Sequence, residues 1–320
     1  MAWFLVVVCQ RFIPLCRFMK DANRADYYRQ ITTDLLQRAQ KEAWAGSWFL
    51  RGYFDDGTPL GAPGDAECEI DLNAQTWAVL ADRDNPVAKQ AMQGVEDKLV
   101  DTGYRLIKLL APPFENIMPD PGYIKSYPPG VRENGGQYTH AAVWAAWAAV
   151  ELGQRDSAFR WFEWLNPLNR VRSEEELRSY RLEPYVTPGD IYSVGALAGR
   201  GGWSWYSGSA AWLYRLGIRK LLGLQREGDR LYVRPCLPDS WPAFKATLHF
   251  DNAVYQLRIH SPAEFQNNRL FMVKEGETMD ASSIFLETSG RHVYEIFPSA
   301  AARQIWLNDH ARASRMAGLD

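Results

Sequence analysis

Between residues 3 and 222 apolar positions recur every three or four residues, the period of helices that bury one face. The pattern predicts helices near 3–20, 25–43, 71–82, 86–100, 137–152, 156–165, 173–180 and 208–222. Gly153, Pro167 and Gly223 supply stops. Within this run, Trp48 to Tyr53 alternates like a strand ahead of an Asp55-Asp56-Gly57 turn, and Tyr104 to Leu110 reads as extended. In the first helix Phe4, Leu5, Val8, Phe12, Leu15 and Phe18 lie at helical spacing and predict a buried helix. Pro14 should kink or break it, because an interior proline costs roughly 3 kcal/mol. After Gly223 the period shortens to two. Leu231–Val233, Ala246–Phe250, Val254–Ile259, Leu270–Val273 and Val293–Phe297 are β-rich runs separated by Gly, Asp, Asn and Pro. The expectation is a mainly α chain with a helical domain over 1–223 and a small C-terminal β-sandwich over 224–320. Residues past about 300 are weakly specified.

Composition narrows the class. With 320 residues, 47% of them apolar, the chain can bury a substantial core without disulfides. A net charge of −2 with dispersed basic residues excludes the positive stripe of a nucleic-acid binder. The four cysteines form no Cys-x-x-Cys pair and no Asn-x-Ser/Thr acceptor occurs, which points to a reducing cytoplasm. The apolar run Ala2–Cys9 lacks the basic flank and small-residue cleavage site of a signal peptide, and is too short to span a bilayer. Thirteen tryptophans, fifteen tyrosines and fourteen phenylalanines suit a saccharide cleft, although most aromatics in any protein are core.

Two segments carry the candidate chemistry. Tyr127 to Trp147 places a loop with Pro128, Pro129, Gly130, Arg132, Glu133, Gly135 and Gly136 directly before an apolar helix, with His140 in its first turn. Gly201 to Trp212 repeats the theme, its Ser207-Gly208 pair opening a second helix. Helix starts of this kind hold anions. Each residue also has a plain structural reading: a hydrogen-bonding histidine, an ordinary N-cap for Ser207-Gly208, a surface ion pair for Arg132-Glu133. Asp55-Asp56-Gly57 lacks the spacing of a calcium loop and reads as a turn. Asp71 and Gln75 stand one helical turn apart and are candidates to face a cleft, although an acidic residue at a helix N-terminus is equally explained by the helix dipole. Trp144, Trp147, Trp161 and Trp164 read as core, whereas Trp203, Trp205 and Tyr206 in a glycine-flanked loop are platform candidates. No spacing implies a metal or a nucleotide.

Together with Gly52–Gly61 and Ile70–Val79, these segments resemble, in family order from about Trp3 to His260, the C-terminal half of glycoside hydrolase family 94. That family holds inverting β-glucoside phosphorylases and the C-terminal region of cyclic β-1,2-glucan synthases, and the likeness is strongest to its β-1,2-glucan branch. The resemblance implies part of an (α/α)6 barrel, with inorganic phosphate as co-substrate and no cofactor. It makes His140, Ser207 and Gly208 phosphate-binding, serine standing where the family has threonine. Tyr127, Arg132 and Glu133 become acceptor-sugar residues. Thr187-Pro188-Gly189-Asp190 departs from the glutamine-bearing segment of cellobiose-type enzymes, which disfavours cellobiose as substrate. The family's catalytic aspartate sits in a Gly-Asp-Trp-Asn-Asp-Gly motif that these 320 residues do not contain. The general acid is therefore expected upstream of Met1, the expected partners being a β-glucan, phosphate, and either a missing N-terminal half or a second copy. A non-catalytic remnant and a glucan-binding, length-controlling region are the alternatives.

Overall fold

The computed structural model describes residues 1–265 and 269–316. It separates into two compact units, Met1–Leu213 and Tyr214–Asp320. The first is helical: α1 (Ala2–Phe18), α2 (Ala22–Ala43), α3 (Leu72–Ala81), α4 (Ala88–Lys98), α5 (Thr139–Glu151), α6 (Arg155–Leu165), α7 (Glu174–Tyr180) and α8 (Ser207–Arg215). Side chains of Asp21, Asp71 and Ser173 cap α2, α3 and α7 by accepting backbone N–H groups three residues on. α5 is nearly all small residues. Its alanines 141, 142, 145, 146, 148 and 149 are buried, which lets α3 and α6 pack closely on two sides.

Between the helices run two-residue strands: β1 (Gly52–Tyr53), β2 (Pro59–Leu60), β3 (Ile70–Asp71), β4 (Val100–Asp101), β5 (Leu106–Ile107), β6 (Leu110–Ala111), β7 (Gln137–Tyr138) and β8 (Asp190–Ile191). They pair antiparallel as β1–β2, β3–β6, β4–β5 and β7–β8. The strand expected over Trp48 to Tyr53 is only β1, and the Asp55-Asp56-Gly57 segment is indeed its turn, Phe54 N–H meeting the Thr58 carbonyl at 2.9 Å. β7 takes the first two residues assigned to a helix over 137–152, so α5 begins at Thr139. α8 ends at Arg215 and a π-helical turn, Leu216–Leu221, carries the chain on.

Three expectations about helices are corrected. Phe4, Leu5, Val8, Phe12, Leu15 and Phe18 are not the buried face of α1; they are 41–82% exposed. The buried face is Trp3, Val6, Cys9, Ile13 and Cys16, which packs on α2 and α3 with Phe49. Both faces of α1 are apolar, so periodicity alone could not choose between them. Pro14 does not break α1, which runs unbroken to Phe18. Past residue 300, where the sequence is weakly specified, the chain forms a helix, α9 (Ala300–Met316), contacting the strands before it.

The second unit is strand-rich. β9 (Leu224–Glu227), β10 (Arg230–Val233) and β15 (Ile284–Phe285) form one sheet in the order β15-β10-β9. β11 (Ala243–Phe250), β12 (Asn252–His260), β13 (Leu270–Lys274), β14 (Glu277–Ala281) and β16 (Ser289–Phe297) form the other, ordered β11-β12-β16-β13-β14 with only β12–β16 parallel. All five predicted runs fall in these strands; β9, β14 and β15 went unrecognised. Alternation sets the faces, Ala253, Tyr255, Leu257 and Ile259 pointing inward from β12. Gly223, at φ 68°, is required before β9 because a Cβ there would lie 2.0 Å from the Arg234 carbonyl carbon. Among the described residues no helix is long and apolar enough to cross a membrane.

Candidate functional site

The loop before α5 and the loop before α8 meet through the β7–β8 pair, which sets Tyr138 opposite Asp190. Thr139 N–H donates to the Gly189 carbonyl at 2.9 Å, and Tyr206 N–H to that of Thr187 at 3.0 Å, so one short segment holds both helix starts. Glycines make the close approach possible. A Cβ on Gly136 would sit 2.8 Å from the Arg132 carbonyl oxygen, and one on Gly202 would sit 2.2 Å from a carboxylate oxygen of Asp190.

The predicted phosphate-binding residues come together. His140 lies in the first turn of α5, and its Nε2 is 2.9 Å from where a Cβ of Gly208 would be, so Gly208 leaves the ring edge open. Ser207 and Gly208 are exposed at the start of α8. His140 Nδ1 and the indole N–H of Trp144, one turn further on, are buried with no hydrogen-bond partner among the described residues. Burial holds the His140 pKa below the ordinary imidazole value, so the ring is uncharged at neutral pH. Ser209, which the sequence did not distinguish from Ser207, is fully buried and donates to the Tyr206 carbonyl at 2.8 Å.

The predicted sugar-binding residues form an adjoining group. Arg132 adopts φ 51°, and its guanidinium lies 5.3 Å from the ring centre of Tyr127 and 4.7 Å from that of Trp203. Both rings lie within cation–π reach of the guanidinium and hold its charge next to them. Glu133 has a buried carboxylate oxygen with no hydrogen-bond partner among the described residues, an acceptor suited to a hydroxyl.

Two residues that the sequence reading did not assign to the site, Tyr138 and Asp190, join the two groups together with the platform candidate Tyr206. Tyr138 and Tyr206 share a hydroxyl–hydroxyl hydrogen bond of 2.9 Å. Both rings flank His140, Tyr138 stacked at 6.0 Å and Tyr206 edge-on at 5.3 Å, and Tyr206 also lies 5.9 Å from Trp203. Burial raises the Tyr138 pKa, aided by the bond to Tyr206 and the charge of Glu133 and opposed by Arg132, so its hydroxyl remains a donor. Asp190, 1% exposed, accepts the backbone N–H of Arg132 at 2.9 Å and of Trp203 at 3.3 Å, tying one loop to the other. Burial raises its pKa, and those two N–H groups hold it back. A tyrosine between Gly135-Gly136 and His140 was a legible signal for Tyr138; for Asp190 there was none.

Several singled-out residues prove structural. Asp71 caps α3 and pairs with Arg51. Gln75 is fully buried and exchanges hydrogen bonds of 2.8 Å with both backbone groups of Phe49. Trp161 is core, while Trp144 and Trp147 are half-buried and edge-on to Trp212. No group of three or more metal-ligating side chains occurs among the described residues.

Known proteins share the pattern. The chain is 43% identical over 260 residues to the cyclic beta-(1,2)-glucan synthase NdvB of Rhizobium meliloti (strain 1021), covering 81% of this chain and 9% of that protein. It is 28% identical over 258 residues to an N,N'-diacetylchitobiose phosphorylase of Vibrio proteolyticus, covering 79% of this chain and 32% of that enzyme. A solved structure titled sialidase has a similar fold, with a TM-score of 0.53 and 14% identity over 77% of this chain and 22% of that one. The chain thus spans a third or less of these two relatives. The sequence profile of the glycosyl hydrolase 94 superfamily catalytic domain matches residues 1–223, the stretch that carries every residue of the candidate site, and the chain belongs to that family.

Proposed function

We propose that this chain supplies the phosphate pocket and part of the acceptor-sugar subsite of an inverting β-glucoside phosphorylase acting on a β-1,2-linked glucan. The observation that carries the reading is the run of contacts His140–Tyr138/Tyr206–Trp203–Arg132–Tyr127, which sets the imidazole edge that Gly208 leaves uncovered beside an aromatic, hydroxyl-bearing surface. Inverting phosphorolysis needs a carboxylic acid to protonate the glycosidic oxygen while phosphate attacks the anomeric carbon from the opposite face. His140, Ser207 and the Gly208 backbone would hold the phosphate. Tyr127, Arg132 and Glu133 would orient the leaving sugar. No step uses a metal or an organic cofactor. The acid is assigned to the family's Gly-Asp-Trp-Asn-Asp-Gly motif, outside these 320 residues. The helical unit is read as part of an (α/α)6 barrel, and the compartment as the cytoplasm.

The β-1,2 linkage rests on the similarity to NdvB, whose name carries it, and the same similarity favours a second reading: a region of a glucan synthase that sets glucan length. Product analysis separates the two. A family 94 protein containing this chain, given a β-1,2-glucan and phosphate, should release α-glucose 1-phosphate, visible by phosphorus and proton NMR. Chain-length change with no sugar phosphate would refute the phosphorylase reading and favour the second.

A further inference from the structure

Apart from the cleft, the helical unit has a cavity of about 290 Å³ that shares no lining residue with it. Its wall comes from the β4–β5 turn (Tyr104, Arg105), the C-terminal end of α7 (Ser179, Tyr180) and the loop after β8 (Gly199). Two bases, Arg105 and Arg170, face two acids, Glu175 and Glu176, so the formal charges of the wall cancel. Each base is already committed. Arg105 bonds Glu176 at 2.6 Å, and Arg170, 5% exposed, donates to the carbonyls of Trp164, Tyr104 and Arg105. With the Arg105 charge met by Glu176 and the Arg170 donors taken up by carbonyls, the wall offers no free donor fork for an anion, and the one remaining carboxylate, Glu175, is too few ligands for a metal ion.

What remains is suited to a neutral polyol. Tyr104 offers an aromatic face and is 49% exposed. Glu175 and Ser179 are exposed hydroxyl partners at the rim. Gly199, at φ 87°, keeps the cavity open: a Cβ there would lie 3.1 Å from Ser179 Oγ and 3.6 Å from the Tyr104 ring. Tyr180 closes the floor, 2% exposed, its hydroxyl without a partner among the described residues and its pKa raised by burial to about 12, so it stays protonated. Aromatic face, hydroxyls, carboxylate and cancelled charge together describe the surface of a hexose site.

We propose that this cavity is a second saccharide subsite, holding one hexose ring of a β-glucan at a distance from the reacting end; the choice of glucan rests on the function proposed above. Its effect would be to retain long chains in preference to short ones.

The test is a titration of the 320-residue chain with β-1,2-glucobiose, followed by calorimetry and saturation-transfer NMR, in wild type and in three variants. Ser179→Phe fills the cavity from an exposed helical position, Tyr104→Ala removes its aromatic face, and Arg132→Ala damages the cleft. Two classes of site are expected, one abolished by Ser179→Phe and weakened about fivefold by Tyr104→Ala, the other sensitive only to Arg132→Ala. Unchanged thermal midpoints of Ser179→Phe and Tyr104→Ala certify the fold. Binding lost only in Ser179→Phe sustains the cavity and undermines the cleft. Binding indifferent to both cavity variants, or no binding at all, overturns the inference; loss in Arg132→Ala alone would do so while leaving the proposed function standing.

Discussion

Replacing Asp190 by alanine removes the carboxylate that ties the loop bearing Arg132 to the loop bearing Trp203. The 2.9 Å bond from Arg132 N–H is a charge-assisted hydrogen bond of ordinary length, and the 3.3 Å bond from Trp203 N–H is long and weaker. Hydrogen bonds to a charged group contribute about 1.5–3 kcal/mol, so the pair is worth roughly 3 kcal/mol at these distances. Against this stands the relief of no longer burying a carboxylate at a 1% exposed site, a cost already seen in its raised pKa. The net expectation is about 2 kcal/mol of destabilisation for Asp190→Ala. Asparagine should do little better, because its NH2 group would face one of the two donors. Urea unfolding followed by tryptophan fluorescence reads the change as a fall in midpoint at unchanged slope. The same variant should lose glucan affinity, since Arg132 and Trp203 are no longer held in register. An Asp190→Ala protein within about 0.5 kcal/mol of wild type would refute the clamp.

Three further outcomes follow from the same geometry. Gly208→Ala puts a methyl 2.9 Å from His140 Nε2, so affinity for sulfate or phosphate should drop at least about tenfold. Stability should hold or rise, because alanine is the better helix former; isothermal calorimetry and urea melts read the two effects separately. Burial lowers the His140 pKa, and a bound dianion would favour the protonated ring, so the bound state takes up a proton and affinity rises as pH falls. Sulfate, whose own charge stays fixed, should bind more tightly at about pH 5.5 than at about pH 8, and the dependence should vanish in His140→Gln; a flat wild-type profile would contradict the assignment. Finally, the exposed apolar row of α1 should drive concentration-dependent association in sizing chromatography, reduced by Leu15→Lys with Phe18→Lys. A clean monomer at high concentration would rule that out.

Period and punctuation were enough to place most elements, and the reasons for the failures are specific. Helices with one polar face, such as α6 and α7, announced themselves, as did the alternating strands β11 and β12. α1 misled because both of its faces are apolar, and only tertiary contacts with Phe49 and α3 decide which is inside. Pro14 is tolerated in an otherwise strongly apolar helix, where packing outweighs propensity. β7 was read as helix because two residues are too few to show a period. In the cleft, His140, Arg132, Glu133 and Gly208 were visible because each stands beside a glycine-bearing loop at a helix start. Asp190 was not: a lone carboxylate after Pro188-Gly189 carries no local mark, and its role exists only because Arg132 and Trp203, 58 and 13 residues away, turn their N–H groups toward it.

The most direct test of the account is a phosphorolysis assay with β-1,2-glucooligosaccharides and inorganic phosphate. It compares these 320 residues with the same residues preceded by a family 94 segment that carries the Gly-Asp-Trp-Asn-Asp-Gly motif. The account predicts glucose 1-phosphate from the longer protein alone, abolished there by His140→Ala. Release by the 320 residues without that segment would place the general acid inside them and contradict the division of the active site argued above.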